Sequence, residues 1–204
     1  AAQRGAQLIV THHPVIFNPV KNASDSSNGG KMLVSAIERG ISIYSAHTNL
    51  DSAPGGLTEY LCSLLGLSPV ANLCERVGRI CNAADGETVY SLCDKIKHTL
   101  GIEHVFTTAH RDRTVKTVSV CNGGGGGVVA QKALESGADV YISGDLKHHE
   151  IREMFLAERI DYIEIRHHDS EKIVCNLLRK TLESAFPETE IMVSEANVNP
   201  LICK

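Results

Sequence analysis

The stretch Val140-Tyr141-Ile142-Ser143-Gly144-Asp145-Leu146-Lys147-His148-His149-Glu150 decides how this chain reads. Residues 139–143 form a short, mostly apolar run of the kind that makes a buried strand. They pass into a polar run that holds an aspartate, two histidines and a glutamate. Residues 128–136 before it and 149–158 after it carry helical spacing, so a strand sits between two helices. That is the repeating unit of an α/β protein.

The pattern continues outward in both directions. Downstream, residues 161–165 read as a strand, 170–185 as a helix and 190–194 as a last strand. Upstream, five glycines at 123–127 feed the helix at 128–136, and strands are expected at 75–81, 104–108 and 114–121. An amphipathic helix at 88–99 stops at Gly101. Earlier still, strands at 6–10 and 41–46 alternate with helices at 32–39 and 56–65, which Gly40 and Gly66 close. At Leu67-Ser68-Pro69 the pattern breaks, and we expect the boundary between two lobes there, about residues 1–67 and 75–204.

Composition bounds the function. In 204 residues, 43% hydrophobic and 22% charged content supplies a core that needs no covalent staples. The formal net charge of -4, with no basic stripe or tail, carries no nucleic-acid footprint. No apolar run approaches the roughly 18 residues of a membrane span. Cysteines at 62, 74, 81, 93, 121, 175 and 203 form no C-x-x-C pair. They read as reduced core residues, which implies a cytoplasmic protein. The chain has no signal peptide and opens at Ala1 without an initiator methionine, so we expect natural sequence upstream.

Histidine placement points to chemistry. The expected strand at 6–10 runs into Thr11-His12-His13-Pro14, and that at 41–46 into His47-Thr48-Asn49-Leu50-Asp51. The strand at 161–165 runs into Arg166-His167-His168-Asp169-Ser170-Glu171. Ligands of open α/β sheets bind beyond the carboxyl ends of the strands. Imidazole with carboxylate suits zinc, iron, manganese or nickel. His47 and Asp51 are four apart, as are His167 and Glu171, so a helical turn puts each pair on one face. On a regular strand, the adjacent His12 and His13 point to opposite sides and can serve two metals about 3.5–4 Å apart, with a carboxylate between. His98, His104 and His110 read as surface or sheet residues.

These motifs, in this order, resemble the Ngg-one-interacting-factor-three-like family, also called GTP cyclohydrolase I type 2. The resemblance rests on Thr11-His12-His13-Pro14, Ser45-Ala46-His47-Thr48-Asn49-Leu50-Asp51, Gly144-Asp145-Leu146-Lys147-His148-His149 and His167-His168-Asp169-Ser170-Glu171. It extends over essentially the whole chain. It implies an α/β (α+β) fold of two packed lobes with mixed sheets in three layers, here N-terminally incomplete and in the short form without an inserted domain. It implies a centre of two divalent metal ions (Zn, Fe or Mn) held by His12, His13, Asp51, His167 and Glu171, with Glu171 bridging. His47 then stands beside the metals as a proton carrier, and His149 is a second candidate for that role. It also implies a toroidal homo-hexamer and a small-molecule, nucleotide-like substrate. The chain departs from the family in having Arg166 where glycine is usual, which narrows access or supplies a cation for an anionic substrate.

Other features stay open. The glycines at 123–127 can hold phosphate at a helix N-terminus or simply form a close turn. Asp145, His148, His149 and Glu150 serve either behind the metal ligands or as acid–base groups, or else Asp145 caps a helix. Residues 24–31 read as a polar, Gly-rich loop near His13, able to act as a lid. The leading reading is a dimetal hydrolase with GTP as the substrate the family implies. The rivals are a non-enzymatic metal-storage or transcription-related adaptor protein, and a metal-dependent phosphatase or phosphodiesterase.

Overall fold

A computed structural model describes residues 1–24 and 26–201, and the chain falls into two compact units, Ala1–Leu50 and Asp51–Lys204. The expected lobe boundary at Leu67-Ser68-Pro69 lies inside the second unit.

The first unit is one strand–helix–strand crossover. Strand β1 (Leu8–Thr11) pairs in parallel with β2 (Ser42–Ser45), and α1 (Asn28–Glu38) lies between them in sequence. Helix α1 begins four residues before the expected 32, because the Ser27 hydroxyl caps it by accepting from the Gly30 N–H at 3.1 Å. A β-carbon at Gly30 would fall 1.9 Å from the Ser24 carbonyl oxygen, so the chain doubles back there only with glycine. The segment expected as a loop over 24–31 is therefore helical from Asn28 onward, and Asp25 lies outside the described residues. The boundary between the units falls within the short helix α2 (Thr48–Ser52).

The second unit is built on a six-stranded mixed sheet. Its strands are β3 (Ser68–Cys74), β4 (Val77–Asn82), β5 (Phe106–Thr107), β6 (Thr117–Gly124), β7 (Val140–Gly144) and β8 (Asp161–Glu164). They lie in the order β3-β4-β6-β7-β8-β5; β6, β7 and β8 are parallel, and the outer pairings are antiparallel. Register sets the two faces. Ile80, Ser119, Tyr141 and Tyr162 stand opposite one another on one face. That face packs with Val129, Ala130 and Ala133 of α5 (Gly126–Glu135) and Met154 of α6 (His148–Leu156). The alternate residues Cys81, Val118 and Val140 share the other face. There Cys81 touches Cys62 of α3 (Leu57–Leu64), Sγ to Sγ 3.4 Å, so the unit has three layers: helix, sheet, helix.

Helix α4 (Val89–Leu100) buries Val89, Leu92, Cys93, Ile96 and Leu100 at helical spacing; Thr88 caps its start and Gly101, in the left-handed region, its end. Helices α7 (His167–Glu171) and α8 (Val174–Ala185) replace the single helix expected over 170–185. Nothing in the sequence marks that break, since neither Lys172 nor Ile173 is a helix breaker. Residues 190–194, expected as a strand, are exposed or half-exposed and pair with no strand among the described residues. Their apolar side chains alternate, but no sheet edge takes them up. Strand β3 went unrecognised because Pro69 reads as a breaker; it is an outer strand whose pairing slips between Pro69 and Ala71, where proline is tolerated. The six described cysteines are free thiols, four of them buried, and Cys203 lies outside the described residues.

Candidate metal centre

In the first unit, β1 ends at Thr11, and the chain bends before His12. The two histidines therefore do not take the opposed directions of a regular strand. The His12 and His13 rings lie 5.1 Å apart, and His47, just past the end of β2, stands 5.1 Å from His12 and 5.3 Å from His13. One ring nitrogen from each of the three lies within 4.8 Å of the others. The strands dictate this: β1 and β2 are parallel neighbours in register, so residues leaving their carboxyl ends meet.

His12 is buried, and its Nδ1 lies 2.7 Å from the Ala46 carbonyl oxygen. A carbonyl only accepts, so Nδ1 carries the proton and Nε2 the lone pair. Main-chain fixing of one ring nitrogen is how metal-binding histidines are prepared for ligation through the other. Three imidazoles so grouped form a donor set for a first-row divalent cation.

In the second unit, His167 and Glu171 occupy one face of α7, four residues apart, with Nε2 and Oε2 separated by 3.0 Å. His167 Nδ1 lies 2.8 Å from Oδ2 of Asp145. Asp145 follows β7 in the left-handed region (φ 56°) and does not cap α6. Glu150 does that work: its Oε2 accepts the Lys147 N–H at 2.7 Å. The hydrogen bond that His167 donates to Glu171 and, less strongly, the one it donates to Asp145 push the imidazolium up to about 9 against the burial that opposes it. A cation bound at Nε2 would therefore compete with a proton there.

Main chain makes room for the carboxylate. At Gly123 (φ +63°), a β-carbon would fall 2.2 Å from Glu171 Oε1 and 3.2 Å from His167 Nε2. At Gly144, it would fall 2.6 Å from the Ile165 carbonyl and 2.8 Å from the Gly123 carbonyl. The carboxyl ends of β6, β7 and β8 thus crowd together without side chains, and Glu171, itself buried, lies in the slot. The Gly123 N–H donates to the Ser170 hydroxyl at 2.8 Å, which ties β6 to α7.

Asp51 belongs to this unit and lies in neither of these donor groups. Its Oδ1 accepts from Asn122 Nδ2 at 2.8 Å, and Asn122 Oδ1 accepts from the Thr58 hydroxyl at 2.6 Å. Sequence reasoning missed Asn122 and Thr58. The one available signal was a polar residue closing the apolar run Val118-Ser119-Val120-Cys121, next to the glycines.

The remaining candidates sit apart. His148 and His149 are exposed at the start of α6, and Arg166 is exposed at the residue before α7. His98, His104 and His110 are exposed; His110 rests against the Phe155 ring at 5.3 Å. Among the glycines, Gly125 gives its N–H to the Ser143 hydroxyl at 3.2 Å, so that part of the run serves the turn itself.

The geometry can be set beside known proteins. The sequence profile of the family described as Duf34/NIF3 (NGG1p interacting factor 3) matches residues 1–200. A "GTP cyclohydrolase 1 type 2 homolog" of Clostridium acetobutylicum is 27% identical, over 98% of this chain and 78% of its own. A protein of the same description from Lactococcus lactis is 31% identical, over 96% of this chain and 77% of its own. The crystal structure of a Staphylococcus aureus hypothetical protein superposes with a TM-score of 0.86 at 21% identity, over 99% of this chain and 81% of that one, which is a likeness of fold.

Proposed function

The chain belongs to the Duf34/NIF3 family, and from that premise we propose that it is a metal-dependent hydrolase with a dinuclear centre acting on a nucleotide-like small molecule. The observation that carries this reading is the histidine–glutamate pair on α7, clasped from behind by Asp145 and seated in a slot without side chains at Gly123. A buried carboxylate beside an imidazole, with a second carboxylate on the far ring nitrogen, is the usual support of a metal-bound histidine. In the first unit, the imidazole trio is itself a candidate set of nitrogen donors.

In this reading His12, His13, Asp51, His167 and Glu171 would hold two divalent cations. Such cations, when bound, would supply polarisation of the bond to be cleaved and a water acidic enough to serve as nucleophile at neutral pH. The chain's own groups do the rest. Ala46 fixes the His12 tautomer, Asp145 orients His167, and Asn122 holds one oxygen of Asp51. His47 is the proposed proton carrier in preference to the exposed His149, because its ring stands 5.1 Å from His12. The description carried by the clostridial and lactococcal relatives makes GTP the first substrate to try.

The test is elemental mass spectrometry of the wild type and of Glu171→Ala, both purified without added metal. We expect about two metal ions per wild-type chain, loss of metal in the variant, and turnover that follows the metal. Bound metal without turnover of GTP or a phosphate ester points to storage or an adaptor role. A wild type that neither holds nor takes up zinc, iron or manganese overturns the reading. The toroidal hexamer is likewise a proposal, tested by light scattering in solution.

A further inference from the structure

Asp51 is held in a way that the ligand chemistry alone does not require. Asn122 sits where β6 leaves its regular pairing with β7, the register shifting between Val120 and Gly124. An irregularity of this kind re-aims a side chain out of the sheet's alternation. Here the amide is turned to Asp51: Nδ2 lies 2.8 Å from Asp51 Oδ1. On its other side, Asn122 Oδ1 lies 2.6 Å from the Thr58 hydroxyl, and that hydroxyl is also 3.1 Å from the Asp51 carbonyl oxygen. Asn122 is buried at 6% exposure and Thr58 at 0%.

The three groups fix one another. An ionised carboxylate accepts and never donates, so the amide must show it the nitrogen. That leaves the amide oxygen toward Thr58, whose hydroxyl is a donor there. A reversed amide would set oxygen against carboxylate oxygen in a buried place, which costs more than the same clash in water. The Asn122 amide thus fixes the orientation of the Asp51 carboxylate through Oδ1.

We propose that Asn122 and Thr58 are positioning residues of the metal centre: Thr58 orients the Asn122 amide, and the amide aims the Asp51 carboxylate. This rests on the reading of Asp51 as a ligand given above. The two residues touch neither cation nor substrate, and they act through Asp51.

The test uses the full chain with zinc, and with cobalt(II) as a probe whose visible bands report its ligand geometry. Asn122→Ala and Asn122→Asp remove the donor. Thr58→Val removes the hydroxyl at nearly constant shape, and Thr58→Ser restores it. Thermal melts of the chelator-treated variants separate loss of fold from loss of site. We expect Asn122→Ala and Asn122→Asp to weaken zinc binding by about 10–100-fold and to shift the cobalt bands. Thr58→Val is expected to follow in the same direction, and Thr58→Ser to bind as the wild type does. Folded variants that bind zinc like the wild type, with unchanged cobalt spectra, overturn this inference while leaving the metal reading intact. A Thr58→Ser variant as impaired as Thr58→Val overturns it too, because the hydroxyl is then not what matters. A wild type that binds no metal overturns both.

Discussion

At the scale of single residues, the candidate centre is held by groups that are not themselves ligands. Asp145 accepts from His167, and we expect Asp145→Asn to weaken metal binding by about 10–100-fold while the chain stays folded, as read by zinc titration against circular dichroism. Gly123 is stricter still. Gly123→Ala must strain a backbone at φ +63° and place a methyl 2.2 Å from Glu171 Oε1. That variant should lose metal and unfold at lower temperature than Glu171→Ala, since it disturbs the backbone as well as the carboxylate; a melt like the wild type's contradicts this. Residue-scale reading of the sequence picks out side chains of unusual type, as in the paired histidines and Glu171. It failed where chemistry is borrowed. Asn122 and Thr58 look like ordinary polar residues until distant segments bring them to Asp51, and neither periodicity nor motif encodes that meeting. Asp51 lies in the short helix α2, and its Oδ1 accepts from Asn122.

Among elements, α3 and β4 are joined through one buried side chain. The Arg79 side chain, 4% exposed, reaches Glu59 Oε1 at 2.8 Å and donates to the carbonyls of Arg76, Gly78 and Ser52. Arg79→Met strands these acceptors. It should destabilise the chain by about 3 kcal/mol, the low end for breaking a buried pair, because Glu59 is itself 30% exposed. Chemical denaturation measures this. The Gly55 N–H, and then Arg79, hold the Glu59 carboxyl below its ordinary 4.5. A carboxyl lowered in the folded state stabilises the fold above its unfolded value and ceases to do so as the pH falls through the folded one. The stability lost on acidification below about pH 4.5 should therefore be smaller in Glu59→Gln than in the wild type. Elements were legible where local signals agree, as in α4 with its cap, its apolar stripe and its terminal glycine. They were misread at β3, which its place at the sheet's edge allows to carry Pro69, and at 190–194, whose alternation found no partner strand. Pairing is a non-local event, and alternation alone does not announce it.

For the molecule as a whole, the two units differ in how they are held. Apart from Ala46, the buried hydrophobic residues among those described all belong to Asp51–Lys204. The first unit rests on a two-stranded sheet, and such a sheet is marginal by itself. Amide hydrogen exchange in metal-free protein should thus be faster in β1 and β2 than in β6, β7 and β8. Zinc should slow it near His12, His13 and His47; equal rates with and without zinc would contradict a metal role for that trio. Fold class was readable from the sequence because it follows from local pattern. One pair of neighbours also gives this protein a clock. Asn122 precedes Gly123, and an asparagine before glycine ages readily: the next backbone nitrogen attacks the side-chain amide carbon, ammonia leaves, and water opens the ring to aspartate or isoaspartate. In the folded chain that nitrogen is engaged with Ser170, and the amide is pinned between Thr58 and Asp51. Peptide mapping of stored protein should find residue 122 intact in native samples and converted in samples kept unfolded. Where conversion does occur, a donor becomes an acceptor facing Asp51, so the centre wears out by exchange of one nitrogen for one oxygen.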